Sequence, residues 1–215
     1  MSPRSAQANE QLRERSRERI LAAALEVFAK KGFHNATVSD ITARAGVSRG
    51  LITYYFPGKR HLAEELLGRY LDGLTTLLDV TGSPDERLAT MIDGILRAAA
   101  STLPVQRLAL SLMTHPSTLP LFARVEQTKD DQLTLLENTL RGLFEARGAE
   151  DPALEEVMFR SVMEGVIFKA SVYGDRYPLE RVRTRLHAMY DLPAPRTALR
   201  RDDPPPVGRL RAADR

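Results

Sequence analysis

Residues 37–59 read TVSDITARAGVSRGLITYYFPGK, and this stretch decides the fold of the N-terminal quarter of the chain. Thr37 followed three residues later by Asp40 is typical of a capped helix start. Gly46 favours a tight turn, Ser48 can cap a second short helix, and a Pro-Gly pair ends that helix. The pattern predicts two short helices joined by a tight turn, which is a helix-turn-helix.

The second of these helices, over residues 49–55, has two chemically different faces. Ile52, Tyr55 and Phe56 recur at i, i+3 and i+4, so we expect them to pack inward and anchor a helix too short to be stable alone. The opposite face carries four residues: Arg49, Gly50, Thr53 and Tyr54. The aromatic residues are therefore divided between a packing role and an outward role.

The outward face has the chemistry of a DNA reader. Arg49 can donate two hydrogen bonds to a guanine edge in the major groove. Gly50 has no side chain, which lets the backbone approach DNA closely, and the hydroxyl of Tyr54 can donate to a phosphate. Lys59 and the helix N-terminus at Thr37 can hold phosphates on either side.

The distribution of charge also favours a polyanionic partner. Residues 1–60 contain 11 Lys and Arg against 5 Asp and Glu, whereas residues 61–195 contain 14 against 20. A basic N-terminal quarter on an acidic body indicates that the N-terminus meets a polyanion. Chance clustering on solvated faces would give the same numbers. The arginine-rich segment 13–19 can likewise be a minor-groove arm or a solvated helix face.

Composition excludes several other classes of protein. The chain has no cysteine, so disulfides and thiolate metal sites are excluded. Four scattered histidines show no metal-ligand spacing, and no glycine-rich phosphate loop or nucleophile motif is present. We therefore expect neither an enzyme nor a bound cofactor. Because the sequence has no secretory signal and no apolar run long enough for a membrane helix, we expect a cytoplasmic protein without a membrane partner.

The rest of the chain is predicted to be helical, which makes the fold all-α. A first helix is expected over 16–31, ended by Gly32. Further helices are expected over 60–79, 85–102, 104–114, 117–147, 152–173 and 178–190, with prolines near the starts of most of them. We divide the chain into a helix-turn-helix domain (10–58), a ligand-binding and dimerisation bundle (59–192) and a proline-rich disordered tail (193–215).

Residues 37–67 resemble the DNA-binding signature of the TetR-type (tetracycline-repressor-like) transcriptional regulators. The resemblance rests on Thr37, the turn AGVS, the aromatic cluster at 54–56, Lys59 and the leucine-rich helix that follows. It covers residues 20–67, and beyond them the chain matches only in length and helical character.

The resemblance implies roles for individual residues. Five fall at positions that read bases in the family: Ser39, Arg49, Gly50, Leu51 and Thr53. Three fall at phosphate-contacting positions: Thr37, Tyr54 and Lys59. Tyr55 stands where relatives often carry histidine, so its role is open between packing and DNA contact.

The resemblance also implies a homodimer on a palindromic operator in double-stranded DNA, released by a small-molecule effector. Apolar stripes on the last two helices are the candidate interface, although both can instead pack within their own bundle. The candidate effector-binding residues are Met91, Arg107, Met113, His115, Phe122, Phe159 and Met163, with Glu164 as a further polar candidate. Repression is the expected action, and activation is the alternative.

Two other functions remain open from the sequence. The chain can be a non-specific architectural DNA binder, although an acidic body would then only add repulsion. It can also be a helical ligand-binding protein without operator recognition. Discrimination between operator and random DNA at physiological salt separates these classes.

Overall fold

The computed structural model describes residues 3–76, 78, 80–195 and 197–199, and over these residues the chain forms ten α-helices and no β-strand. The all-α prediction is therefore confirmed. The helices are α1 (Pro3–Asn35), α2 (Val38–Ala45), α3 (Arg49–Tyr55), α4 (Lys59–Thr75), α5 (Pro84–Ser101), α6 (Leu103–Met113), α7 (Leu119–Thr128), α8 (Asp130–Ala146), α9 (Pro152–Tyr173) and α10 (Leu179–Met189).

Two helices differ from the prediction. The first starts at Pro3, well before residue 16, and Gly32 interrupts it with φ 74°. The single helix expected over 117–147 is two helices that meet at Lys129, whose φ of −114° and ψ of 14° leave the helical range. Lys129 Nζ lies 2.5 Å from Asp72 Oδ1 of α4, and two aspartates follow it in the first turn of α8, where the helix dipole favours acidic residues.

The first hydrophobic core joins the N-terminal helices to the body. It contains Ile20 and Phe28 of α1, Ile41 of α2 and Ile52 of α3, all buried. Side chains of α4, α6 and α7 belong to the same cluster, among them Leu112. The helix-turn-helix unit therefore shares one continuous core with the helices that carry the rest of the chain.

The second core holds the bundle of α5, α8, α9 and α10. At its edge Arg183 is almost fully buried and makes two hydrogen bonds to Asp93, which also lies 2.9 Å from His187. Burial alone would raise the pKa of Asp93, but the hydrogen bonds from Arg183 and His187 lower it overall. Because a buried charge is costly unless paired, this network fixes α10 on α5.

The apolar stripe of α10 packs mainly inside its own bundle. Leu186 is buried in the second core, and Val182 and Tyr190 pack against it, whereas Met189 is half exposed. Most of this stripe therefore follows the alternative of packing within its own bundle, and an interface on α10 stays a prediction.

Helix α4 belongs to both parts of the molecule. Leu62 and Leu66 in its first half complete the first core with α1. Tyr70 and Leu74 in its second half line a cavity in the body. The predicted boundary at residue 58 stays a prediction, and the continuous helix α4 that follows it contributes to both the first core and the cavity wall.

Residues 192–195 and 197–199 run back along α10, where Thr197 O accepts a hydrogen bond from Arg183 Nη1. The remainder of the predicted disordered tail, residue 196 and residues 200–215, lies outside the described part of the chain.

Candidate nucleic-acid interface and effector cavity

The start of α2 is fixed by a complete capping box. Thr37 Oγ1 accepts from the Asp40 amide, and the Thr37 amide and hydroxyl both donate to Asp40 Oδ2. Lys31 Nζ lies 2.6 Å from Asp40 Oδ1, and its hydrogen bond, with those from Thr37, lowers the pKa of Asp40 to about 2. The predicted start of α2 is thus present, with the donors of Thr37 directed to Asp40.

The turn between α2 and α3 has the geometry that its sequence predicts. Gly46 adopts a left-handed conformation with φ 63°, and its amide donates to Thr42 O. Glycine adopts this left-handed backbone conformation at almost no energetic cost, whereas residues with a Cβ do not. Ser48 Oγ then accepts from the Leu51 amide at 3.2 Å and caps α3.

The inner face of α3 is held by the first core. Ile52 is fully buried and Phe56 is 4% exposed. Tyr55 is partly buried against the same cluster, so its side chain packs in this structure. The guanidinium of Arg17 lies 5.5 Å from the centre of the Phe56 ring, in the range of a cation–π contact. These contacts position a helix of seven residues.

The outer face of α3 is open to solvent. Arg49, Gly50, Thr53 and Tyr54 are all exposed, and 68% of the Tyr54 surface is accessible. Tyr54 stands edge-on to Tyr55 with ring centres 5.0 Å apart, which directs it away from the core. Four predicted DNA-binding residues are thus brought together on one surface.

Ser39 and Leu51 have different surroundings from those four. Ser39 is exposed in the first turn of α2. Leu51 is half-buried and packs against the first core, so only part of its side chain can face a base pair.

Lys59 has a different structural role from the predicted phosphate contact. Its ammonium donates three hydrogen bonds of 2.9 Å, to the carbonyl oxygens of Phe33, His34 and Ala36. It also lies 4.9 Å from the centre of the Phe33 ring. Because a lysine ammonium has three donors, this geometry leaves none for DNA. Lys59 instead binds the carbonyls freed where Gly32 breaks α1.

The segment 13–19 ties α1 to α4 by ion pairs. Arg17 lies 2.7 Å from Glu65, and Arg69 lies 2.6 Å from Glu18. Arg13, Arg15 and Arg19 are exposed. Part of this segment therefore joins α1 to α4. Neither of the two interpretations of the sequence, a minor-groove arm or a solvated helix face, includes this role.

We expect opposite effects of Gly50→Leu on stability and DNA affinity. A Cβ at this position meets only Ser48 Oγ, at 3.9 Å, so the fold has room for a side chain. Leucine should raise the free energy of unfolding by up to about 1 kcal/mol because it favours a helix more than glycine does. It should also weaken operator binding at least about tenfold, by holding the backbone away from DNA.

Thermal unfolding and fluorescence anisotropy measure these two effects of Gly50→Leu. Gly142→Leu on α8 is the matched control, because nothing lies near its Cβ position and it is remote from α3. Unchanged DNA affinity of Gly50→Leu would contradict close backbone approach at Gly50.

The body contains a cavity of about 580 Å³ enclosed by α4 to α9. Five of the predicted effector-binding residues line it: Met91, Met113, Phe122, Phe159 and Met163. Glu164, the further candidate, also lines it, as do six polar residues that the sequence analysis did not select: Tyr70, Gln106, Glu126, Glu137, Arg160 and Ser161. Gln106 and Glu126 share helix faces with Met113 and Phe122, at spacings of seven and four, which is the signal that could have identified them.

Arg107 and His115 do not line this cavity. Arg107 Nε donates to Ser171 O at 2.8 Å and joins α6 to α9. His115 lies beyond the end of α6, where its ring stacks on His34 with centres 4.0 Å apart. Their assignment to the effector site is therefore corrected: one residue connects helices of the body, and the other connects the body to α1.

The cavity is apolar with an acidic rim. Burial, and secondarily the negative charge of Glu164, raise the pKa of Glu126. The same two causes raise the pKa of Tyr70 to about 12, so its phenol is neutral at physiological pH. The described residues contain no group of three or more side chains that could hold a metal ion, and no helix among them is long and apolar enough to cross a membrane.

Known proteins resemble both the helix-turn-helix region and the body of this chain. Residues 20–66 match the family model described as bacterial regulatory proteins, tetR family. The HTH-type transcriptional regulator BetI of Ectopseudomonas mendocina is 25% identical over 183 residues, which cover 82% of this chain and 92% of BetI. The fatty acid degradation regulator FadR of Bacillus halodurans superposes with a TM-score of 0.68 at 22% identity, covering 81% of this chain and 94% of FadR.

A second structure, FadR of Bacillus subtilis in complex with stearoyl-CoA, has a TM-score of 0.62 at 21% identity and covers 80% of this chain and 96% of that protein. The family model spans the second half of α1, all of α2 and α3, and the first half of α4, and the structural likeness extends the same fold through the body.

Proposed function

We propose that the chain is a regulator of the TetR family, a cytoplasmic repressor that binds an inverted-repeat operator as a homodimer and leaves it when a small molecule fills the cavity. The observation that carries this proposal is the exposed face of α3, where Arg49, Gly50, Thr53 and Tyr54 stand together on a helix pinned by buried Ile52 and Phe56. Arg49 reads a guanine edge, and Tyr54 donates to a phosphate.

The N-terminus of α2 provides a second contact with the DNA backbone. The first amides of a helix have no partner within the helix, so those of Val38 and Ser39 can donate to a phosphate beside the capping box. Lys31 balances the charge of Asp40 at this end, 2.6 Å away. The phosphate contacts are therefore assigned to Tyr54 and the start of α2, without Lys59.

One partly exposed face of α9 supports a dimer. Six residues spaced alternately by four and three form one stripe along the helix: Leu154, Met158, Ser161, Gly165, Phe168 and Val172. Ser161, Gly165 and Phe168 also border the cavity, so the stripe runs along its edge. Its four large apolar members are each between 43% and 56% exposed. The spacing is that of a helix–helix seam, and exposed apolar surface of this kind marks an association site. Two copies joined here can present their α3 helices to successive major grooves about 34–36 Å apart.

We expect Gly165→Arg to disrupt the dimer without unfolding the chain. Nothing lies within 4 Å of a Cβ at Gly165, so the arginine meets no obstacle within one copy, but it places a charge in the middle of the seam. Light scattering should show monomers for this variant and dimers for Gly142→Arg, its control on α8. A dimeric Gly165→Arg protein would place the interface elsewhere.

The structure offers a direct route from cavity to DNA. Helix α4 contributes Leu62 and Leu66 to the core beneath α3, and Tyr70 and Leu74 to the cavity wall. The His34–His115 stack connects α1 to the end of α6. A ligand that moves α4 changes the separation of the two α3 helices, provided it binds the DNA-incompetent state more tightly. The complex of Bacillus subtilis FadR with stearoyl-CoA supports the binding of a small molecule by a chain of this fold.

A reporter assay tests repression. Duplexes that the protein retains from a random pool supply an operator, which is placed between the promoter elements of a reporter gene. Expression of the wild-type chain should lower reporter output, and Arg49→Ala at equal abundance should restore it. Equal output with both proteins would contradict repression through α3, and a rise with the wild type alone would identify an activator.

A further inference from the structure

The charged residues around the effector cavity are not balanced. Four of its lining residues ionise: Glu126, Glu137, Arg160 and Glu164. Arg160 is the one cation among the described lining residues, and it pairs with Glu137 at 3.3 Å and with the buried Glu156. Neither Glu126 nor Glu164 has a basic partner in the described part of the chain. Two carboxylates therefore face the opening of the cavity without compensation.

The two carboxylates affect each other and their surroundings. The negative charge of Glu164 acts on Glu126 of α7 and on Tyr70 of α4, in each case after burial as the larger cause of a raised pKa. Both glutamates remain solvent-exposed at the rim, on α7 and α9. A positive group placed between them would relieve their repulsion while it kept part of its hydration.

Gln106, which lines the cavity, carries a buried acceptor without a partner. Gln106 is 3% exposed, and its Nε2 donates to Thr102 Oγ1 at 2.9 Å and to Ala99 O at 3.3 Å. Its Oε1 is buried with no hydrogen-bond partner in the described structure. An unsatisfied buried acceptor is costly, so the Gln106 amide would gain from a hydrogen-bond donor or a positive dipole brought close to it by a ligand in the adjoining cavity.

The remaining wall suits the apolar part of such a ligand. Phe122 and Phe159 lie among methionine and leucine side chains around the cavity. Aromatic faces attract cations as well as apolar groups, and methionine adapts to irregular shapes. The wall thus combines a large apolar surface with acceptors and negative charge.

We propose that the cavity binds an amphipathic organic cation, with the positive group between Glu126 and Glu164 and the apolar body against the aromatic and methionine side chains. This inference rests on the cavity being the effector site proposed above. It assigns the chemical class of the effector, and it gives Glu126 and Glu164 the role of selecting charge.

Three probes of equal chain length test the charge preference: decyltrimethylammonium, decanoate and 1-decanol. Each is titrated into the full-length protein by calorimetry at neutral pH, below its aggregation concentration. We expect decyltrimethylammonium to bind at least about tenfold more tightly than decanoate, with 1-decanol between them. Equal affinities, or tighter binding of decanoate, would overturn the proposal.

Glu126→Gln/Glu164→Gln, a double variant, tests the two residues. Glutamine keeps the shape of glutamate and removes the charge, so affinity for decyltrimethylammonium should fall at least about tenfold while affinity for 1-decanol is kept. Retained 1-decanol binding shows that the cavity is intact. Glu150→Gln, an exposed site between α8 and α9, is the control and should behave as the wild type. An undiminished cation preference in the double variant would refute the assignment.

Operator binding separates failure of this inference from failure of the proposed function. One outcome is that the wild type binds an inverted repeat and is released from it by decanoate but not by decyltrimethylammonium. In that case the proposed function stands and the proposed effector class is wrong. If the cation binds but no operator is found, the cavity chemistry is right and the proposed function fails.

Discussion

Replacing Lys59 with methionine is expected to lower the free energy of unfolding by about 2–4 kcal/mol, because three charge-assisted hydrogen bonds to the carbonyls of Phe33, His34 and Ala36 are lost together. Methionine keeps most of the aliphatic stem, so the loss measures the ammonium. Chemical denaturation followed by circular dichroism gives the value.

Arg60→Met is the matched control for Lys59→Met. Arg60 is the exposed neighbour of Lys59 and should contribute little to stability. At temperatures where Lys59→Met is still folded, its operator affinity should depend on salt as the wild type does. A salt slope reduced by about one, with unchanged stability, would show that Lys59 contacts a phosphate after all.

Arg49→Ala is expected to weaken operator binding by about 1–3 kcal/mol and to relax the base preference at one position of each half-site. The reason is the exposed position of Arg49 on α3, beside Gly50 and Thr53. Because Arg49 projects from the first turn of the helix, its removal should leave thermal stability nearly unchanged. Anisotropy titrations with operator variants at about 0.15 M salt measure both effects.

Random DNA is the internal control for Arg49→Ala, and Arg181→Ala on the exposed face of α10 is the matched variant. The control variant should bind operator as the wild type does. An equal loss of affinity for operator and for random duplex would show that Arg49 binds the backbone and reads no base.

The faces of α3 could be predicted because local rules decide them. A capped helix of seven residues has one orientation that buries Ile52 and Phe56, and the spacing then places Arg49 and Tyr54 outward. The turn at Gly46 follows from glycine's access to a left-handed conformation. These features depend on residues close together in the sequence.

Lys59 could not be assigned from the sequence because its partners lie 23 to 26 residues away. A long flexible side chain with three donors can reach DNA or protein equally well. The carbonyls of residues 33, 34 and 36 converge only because Gly32 breaks α1 and turns the chain. The convergence of these carbonyls is a feature of the tertiary structure, so the sequence around Lys59 does not predict it.

Helical periodicity identified the cavity only in part. It places Met91, Phe159 and Met163 inward, but it cannot distinguish a cavity wall from a filled core. Arg107 is one residue from Gln106, and that step of about 100° turns it from the cavity toward α9. His115 follows the last residue of α6 by two, where periodicity no longer fixes direction.

Selection of bound duplexes from a random DNA pool at about 0.15 M salt tests the central claim most directly. The full-length protein should enrich an inverted repeat whose half-site centres are one helical turn, or a multiple of it, apart. Arg49→Ala, selected in parallel, should lose preference at one position per half-site. Enrichment of no sequence by the wild type, whether it binds all DNA or none, would contradict operator recognition by α3.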